Sequence, residues 1–217
     1  MRITQVTLPV RSLDTVAAWW RPLGFPTIQG PDRVSVDVGH TRVHHEPDPA
    51  LIGTHHLAMT IPTGTFDAAV AWIADRAPVL SRDGITVFEG PDGWDSRSVY
   101  FDGPDGQVLE FIERRVLPAE HVGPFTADSV VGVSEVGVVV EDVVATAQRL
   151  ADVGVAPYAA PPTAGFGAVG DVDGLLVLVA PGRPWLPTTD RIAADSSVTI
   201  DVGLPQPVAF GADKVLR

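Results

Sequence analysis

The feature that most restricts the fold is an internal repeat, in which an alternating strand pattern is followed by an amphipathic helix pattern. In each strand pattern every second residue is apolar, as a strand that covers a helix on one face requires. The three strand patterns are at residues 5–10, 56–61 and 135–140. The helix patterns, with apolar residues three and four positions apart, follow at residues 12–25, 64–77 and 141–155. Self-similarity of this kind predicts repeated supersecondary units.

Short strand patterns separated by turn residues follow each helix, so each repeat is predicted to be a βαβββ module. The predicted fold class is α+β, with modules at residues 1–50, 51–115 and 130–182, the third of them degenerate. We expect the first two modules to pair into one curved sheet that forms a cleft within residues 1–115.

The remaining segments do not follow the repeat. Residues 116–129 are polar and contain proline, which predicts a linker. Residues 183–217 are predicted to be a C-terminal extension with one further strand pattern, at 196–203, and a terminal tail. A lone module leaves one sheet face uncovered, so the third is expected to pack on the first pair or to meet its twin in a homodimer.

Composition removes several classes of function. The chain has no cysteine, so any metal must be held by His, Asp, Glu or amide oxygen. With 15 Lys and Arg against 27 Asp and Glu, the net charge of −12 argues against a nucleic-acid partner. No apolar run is long enough to span a membrane, and the N-terminus shows no signal-peptide pattern. We therefore expect a cytoplasmic protein with no membrane partner.

The residues between the apolar positions point to the opposite, open face of each strand. Gln5, His56 and Glu135 are the polar residues that begin this face in the three repeats. In the last strand of the second repeat, Glu110 lies between two apolar helix-side residues and so takes the open side. His44 has the matching place in the first repeat.

If the first two modules pair, Gln5, His44, His56 and Glu110 line one cleft. Two imidazoles, a carboxylate and an amide oxygen suit Zn²⁺, Ni²⁺, Co²⁺, Mn²⁺ or Fe²⁺ and leave coordination positions for substrate. Each residue also has a plainer interpretation, as a polar strand residue satisfied by hydrogen bonds. In the third repeat Leu178 is expected at the closing position, which leaves Glu135 without a partner set. The remaining histidines are interpreted as surface or packing residues: His40, His45, His55 and His121.

Three stretches resemble the vicinal oxygen chelate superfamily, which includes glyoxalase I, extradiol dioxygenases and bleomycin resistance proteins. They are residues 1–25, the segment THHLAMTIP and the segment SVYFDGPDGQVLEFIER. The resemblance implies metal ligands on the first and last strands of paired modules, at Gln5, His56 and Glu110. It places His44 where glyoxalase I would carry a glutamate, which leaves Glu110 as the proton-moving, catalytic carboxylate.

The resulting expectation is a metal-dependent enzyme of glyoxalase-like type, an isomerase or lyase that acts on a small oxygenated molecule. Two alternatives stay open. One is a metal-free protein that binds a small molecule or sequesters an antibiotic, and the other is an extradiol-type dioxygenase.

Overall fold

The computed structural model describes residues 1–118 and 121–217, so residues 119–120 of the predicted linker lie outside the described residues. The first repeat contains β1 (Gln5–Val10), α1 (Leu13–Leu23), β2 (Thr27–Gln29), β3 (Val34–Val38) and β4 (Thr41–Pro47). The second contains β5 (His56–Ile61), α2 (Phe66–Ala74), β6 (Val87–Glu89), β7 (Ser96–Asp102) and β8 (Val108–Arg114). The third contains β9 (Gly132–Val139), α3 (Val143–Ala151), β10 (Phe166–Asp171) and β11 (Gly174–Val179). Three more strands follow: β12 (Val198–Asp201), β13 (Val208–Gly211) and β14 (Lys214–Leu216).

Local chemistry explains where two of the helices begin. The side chain of Ser12 accepts a hydrogen bond from the backbone N–H of Thr15 at 3.2 Å, and Asp142 accepts one from Ala145 at 2.9 Å. These side chains satisfy N–H groups that have no partner inside the first turn of a helix. Helix α1 ends at Gly24, whose φ of +92° is the left-handed conformation that glycine adopts without strain.

The strands form two curved seven-stranded sheets, which confirms the α+β class and the repeated modules. The first sheet has the order β13-β14-β12-β1-β4-β3-β2, and the second has the order β10-β11-β9-β5-β8-β7-β6. No helix in the described ranges is long and apolar enough to cross a membrane.

The predicted pairing of the first two modules is wrong, because they lie in different sheets. Strand β5 pairs with β9 of the third repeat, and β1 pairs with β12. The first strand of each of these modules, β1 or β5, pairs along one edge with the last strand of the same module, β4 or β8. Its other edge is free to pair with a strand from elsewhere in the chain. The residue pattern defines the faces of a strand, but it does not state which of several similar strands takes that free edge.

The C-terminal extension completes the first sheet. Residues predicted as a tail form β13 and β14, and their side chains Phe210 and Leu216 are fully buried. Strand β12 pairs with the edge of β1 that would otherwise be free. The first module therefore does not need the second module as a pairing partner.

The helix-side faces of both sheets share one apolar core. Alternate residues of β1, β5 and β9 enter it, together with Trp20 of α1, which is 1% exposed. Trp19 of the same helix stacks on Phe101 of β7 in the second sheet, with ring centroids 6.4 Å apart. Because the helices bury their apolar sides between the sheets, the polar open faces point away from each other.

Candidate metal centre

Strand β8 places its open-face residues as predicted. Leu109 and Phe111 enter the core, and Glu110 between them faces away from the helices at 2% exposure. The parallel ladder pairs Glu110 with Ala58 of β5, so His56 lies two residues away on the same face. His56 and Glu110 are thus brought together by adjacent strands of one module.

A bulge in β9 brings a second carboxylate to the same place. Ala58 pairs with Glu135 and Met59 with Val133, so Ser134 is an extra residue without an opposite number. A bulge of this type turns the strand and re-aims the neighbouring side chain. Glu135 consequently faces the cluster, while Val133 and Val136 stay in the core.

His56, Glu110 and Glu135 form a buried cluster in which one potential ligand atom of each lies within 4.8 Å of the others. The Nε2 atom of His56 is 3.5 Å from a carboxylate oxygen of Glu110. The Nδ1 atom of His56 is 3.1 Å from the carbonyl oxygen of Val108. Because a carbonyl can only accept, Nδ1 carries the proton and the lone pair of Nε2 faces the carboxylates. This is the orientation of a metal-ligating histidine.

The protonation of the cluster is governed by burial. Burial lowers the pKa of His56 to about 4, so the ring is neutral. Burial, and then the charge of Glu135, raise the pKa of Glu110 to about 8, against hydrogen bonds from Ser98 and Tyr100. Burial also raises the pKa of Glu135, against its contact with Arg114. Two neighbouring carboxylates repel each other when both are ionised, and burial removes the water that would stabilise their charges. A bound cation would offset both effects.

Arg114 is the cation nearest to this cluster, and it is fully buried. It donates to a carboxylate oxygen of Glu135, and its guanidinium carbon lies 5.3 Å from the ring centre of Trp94. Its Nε and Nη1 atoms have no hydrogen-bond partner among the described residues. One arginine against two carboxylates leaves a net negative site when both are ionised. An imidazole nitrogen and two carboxylates therefore fit a divalent cation such as Mn²⁺, Fe²⁺, Co²⁺, Ni²⁺ or Zn²⁺.

The cluster lies in a cleft of about 420 Å³ on the open face of the second sheet. The walls of the cleft are rich in aromatic side chains: Phe88, Trp94, Tyr100, Phe166 and Trp185. Aliphatic residues of β8 and β11 fill the space between them: Ile112, Val177 and Val179. A concave, mostly apolar space with a few polar groups at one place is typical of a small-molecule site.

Residues 183–194, here called the strap, cover this cleft as the chain passes from the second sheet to the first. Trp185 of the strap lies 5.2 Å from the His56 ring, between centroids, and its Nε1 donates to the carbonyl of Thr54 at 2.8 Å. The indole fills a space above Gly137, where a Cβ atom would come within 2.4 Å of it. Gly137 is thus required by close packing of the strap.

Among known proteins, similarity is found for the structure of this chain and not for its sequence. No family model matches the sequence, and no curated protein matches it. The structure is similar to that of a "putative dioxygenase" from Bacillus subtilis, with a TM-score of 0.56 and 16% identity over 93% of this chain and 70% of that chain. At this level of identity the similarity concerns the fold alone.

Smaller proteins also match part of the chain. A lactoylglutathione lyase from Agrobacterium tumefaciens is 20% identical over 52% of this chain and 94% of its own, with a TM-score of 0.42. A glyoxalase/bleomycin resistance protein/dioxygenase from Nocardioides is 18% identical over 57% of this chain and 90% of its own, with a TM-score of 0.43. Identities this low concern the fold alone.

Two of the four predicted ligands lie outside the buried cluster. Gln5 and His44 belong to the first sheet, where Gln5 pairs with Arg42, and Ser35 Oγ lies 2.8 Å from His44 Nδ1. The expected cleft between the first two modules therefore has to be corrected to one between the second and third. The cause is the pairing of β5 with β9, which replaces Gln5 and His44 by Glu135.

The structure also shows which way several other side chains of the second and third modules and two histidines point. Val177 faces the cleft and Leu178 enters the core, so the expected place of Leu178 was off by one residue. Trp94 and Tyr100 line the cleft, whereas Phe101 faces the core. His45 and His55 are packing residues, as predicted, with 0% and 2% exposure.

Arg114 and Glu135 are the functional residues that the sequence did not reveal as a pair. Arg114 is four residues after Glu110 in a strand, so its place on the open face could have been read from the alternation. Glu135 was placed on the correct face, but its partners belong to a module with which no pairing was expected.

Proposed function

We propose that this protein is a metal-dependent enzyme that acts on a small oxygenated molecule by proton transfer, as an isomerase or lyase. The observation that carries the proposal is the cluster of His56, Glu110 and Glu135 in an aromatic cleft. The coordination set would be His56 Nε2 with one oxygen from each carboxylate. A divalent cation bound there supplies Lewis acidity, which favours negative charge on a substrate oxygen.

Glu110 is the residue best placed to move a proton. The hydroxyl groups of Ser98 and Tyr100, both on β7, lie beside its carboxylate and act to lower the pKa that burial raises. Glu135 is instead paired with Arg114, whose positive charge balances the negative charge of the carboxylate. The two carboxylates therefore have different surroundings, which supports different functions: Glu135 as a ligand, and Glu110 as the group that takes and returns a proton.

The strap contributes by limiting water. Trp185 lies against the ring of His56, and aromatic side chains line the cleft around the cluster. Electrostatic interactions with a substrate are stronger where water is excluded.

A metal-free binding protein is the second candidate, and one specific observation favours it. Arg114 already neutralises Glu135, so part of the cluster is satisfied without a cation. The same apolar cleft would then simply hold a ligand.

Metal titration separates the two candidates. Protein freed of metal with a chelator would receive each of the five cations in turn, with bound metal measured by elemental analysis and stability by thermal unfolding. We expect one equivalent of at least one cation and a higher Tm, because a ligand that binds the folded state stabilises it. His56→Ala and Glu135→Gln should weaken binding by more than the about 10–100-fold that loss of an outer partner costs.

Gln5→Ala and His44→Ala are matched controls in the first sheet, and both should bind metal as the wild type does. If none of the five cations binds the wild type, the enzyme proposal fails and the binding protein remains. For a protein that binds metal, deuterium uptake from D₂O into small hydroxyketones supports proton transfer. Oxygen consumption with catechol would instead assign a dioxygenase.

A further inference from the structure

The charges that line the cleft are unequally distributed. His56, Glu110 and Glu135 lie at one end, and Glu89 and Arg183 line it elsewhere. Glu89 is neutralised by Arg115 at 2.9 Å. Arg183 is the only lysine or arginine among the lining residues, and no carboxylate lies within 4.0 Å of it in the described part of the chain.

Arg183 is held in place without a counter-ion. Its Nη1 donates to the carbonyl of Gly165 at 2.9 Å, and its guanidinium carbon lies 4.8 Å from the ring centre of Phe166. Its own carbonyl accepts a hydrogen bond from Ala193 at 2.9 Å, which fixes the start of the strap. Arg183 is exposed at the surface, and desolvation of the part that packs against the protein lowers its pKa. Stacking on an aromatic ring leaves N–H groups at the edge of a guanidinium free for a planar anion.

Strand geometry places this cation far from the carboxylate cluster. Glu135 pairs with Leu175 near the start of β11, and Val179, which pairs with Phe166, is at its end. Four residues of strand correspond to about 13 Å. The cleft surface between them is apolar and includes Val177 and Trp185.

We propose that the cleft takes an elongated ligand with an apolar or aromatic body, whose carboxylate pairs with Arg183 at the end opposite the His56–Glu110–Glu135 cluster. A single fixed guanidinium matches one carboxylate in charge and in planar geometry. Arg183 is then a specificity-determining residue. Only the use of the other end of the ligand rests on the proposed function.

The test uses metal-free protein, so that its outcome does not depend on metal binding. The probes are 3-phenylpropanoate and its neutral amide, which share a ring and a chain length, and binding is followed by tryptophan fluorescence and calorimetry. We expect the acid to bind the wild type at least about tenfold more tightly than the amide, as a charge-assisted pair would give. Arg183→Gln should reduce this preference to less than about twofold, with the affinity for the amide unchanged.

Arg33→Gln is the control, since it removes the same charge from an exposed site in the first sheet. It should keep the full preference for the acid, and circular dichroism should show both variants folded. Equal binding of acid and amide by the wild type overturns the proposal, as does a preference that survives in Arg183→Gln. Absence of binding by either probe also overturns it, because the apolar wall is then not a ligand surface.

The two proposals fail separately. A preference for the acid that depends on Arg183, in a protein that binds no metal, would leave the carboxylate site standing without the enzyme. Metal binding without a preference for the acid would support the enzyme proposal and overturn the proposed carboxylate site.

Discussion

The two sheets are built from the same module, yet among the residues that the structure describes only the second sheet has a buried His/Glu/Glu cluster on its open face. Strand pairing relates the positions: Thr7 pairs with His44 and Thr199 in the first sheet, as Ala58 pairs with Glu110 and Glu135 in the second. Gln5 has the place of His56. The first sheet thus offers an amide, an imidazole and a hydroxyl group where the second offers an imidazole and two carboxylates.

The surroundings differ as much as the residues. In the second sheet the strap and the aromatic walls bury the cluster, and a buried arginine balances part of its charge. In the first sheet Gln5 and Thr199 are half-buried and Arg42 is exposed. The βαβββ module therefore supplies strand positions, whereas the covering strap and the buried charges convert those positions into a site.

The largest expected effect concerns the buried ion pair of Arg114 and Glu135 in the second sheet. Glu135→Gln leaves Arg114 buried without its negative partner, and we expect the free energy of unfolding to fall by about 3–5 kcal/mol. The corresponding change in the first sheet, Thr199→Ala, should cost less than about 1 kcal/mol at its half-buried position. Urea unfolding at neutral pH measures both.

The double variant Arg114→Met/Glu135→Leu sharpens this comparison. Because no unpaired charge remains, it should recover most of the stability lost in Glu135→Gln. Equal losses in Glu135→Gln and Thr199→Ala would show that the buried pair does not distinguish the two sheets.

A somewhat smaller effect is expected from removal of the cover. Trp185→Ala deletes an indole that is 5% exposed and packs on His56 and Gly137. We expect a loss of about 3 kcal/mol, the low end of the range for such truncations. Urea unfolding measures the loss, and stronger acrylamide quenching of the remaining tryptophans would report the opened cleft.

Gly137→Val is the matched variant, because it displaces the same indole without deleting it. It should destabilise the protein in the same direction as Trp185→Ala. A Gly137→Val protein as stable as the wild type would contradict the close packing described for the strap.

The smallest effect is one of pH, and it arises in the first sheet. Burial lowers the pKa of His45 to about 3, so its ring stays neutral in the folded protein while the unfolded chain takes up a proton near pH 6.5. Stability is therefore full above that pH and falls as the pH drops toward about 3. Between pH 7.5 and 5.5 this residue alone should lower the free energy of unfolding by about 1.4 kcal/mol.

Urea unfolding of metal-free wild type and His45→Leu at both pH values measures the contribution of His45. Between pH 7.5 and 5.5, the free energy of unfolding should fall by about 1.4 kcal/mol less in the variant than in the wild type. Burial similarly lowers the pKa of His55 to about 4, so part of the acid sensitivity should remain in His45→Leu. Identical pH dependence of the two proteins would show that His45 is not held neutral.

Local patterns predicted the faces of the strands and the modules, because alternation is set by the geometry of each strand itself. This is why Glu110 was placed correctly between Leu109 and Phe111. The choice of β9 as the partner of β5 was not predictable in the same way, since β1 offers an equally suitable free edge. One pairing error moved Gln5 and His44 into the expected site and kept Glu135 out of it.

Other features depend on contacts that leave no periodic signal. The place of Leu178 was off by one residue, and in a strand one residue exchanges the two faces. The strap sequence RPWLPTTDRIAAD reads as a loop, and nothing in it indicates that Trp185 packs over Gly137, 48 positions earlier. The same holds for β12, whose partner β1 is distant in the sequence.

The return of the last strands to β1 makes the second sheet an insertion within the first. The chain enters this insertion at Thr54 and leaves it through the strap, and a bridge between Thr54 and Ala193 holds the entry and the exit side by side. Because the exit segment is also the cover of the cleft, the junction of the two sheets and the access to the cleft are one structure. Any movement of one sheet relative to the other must therefore change the packing of Trp185 over the cleft.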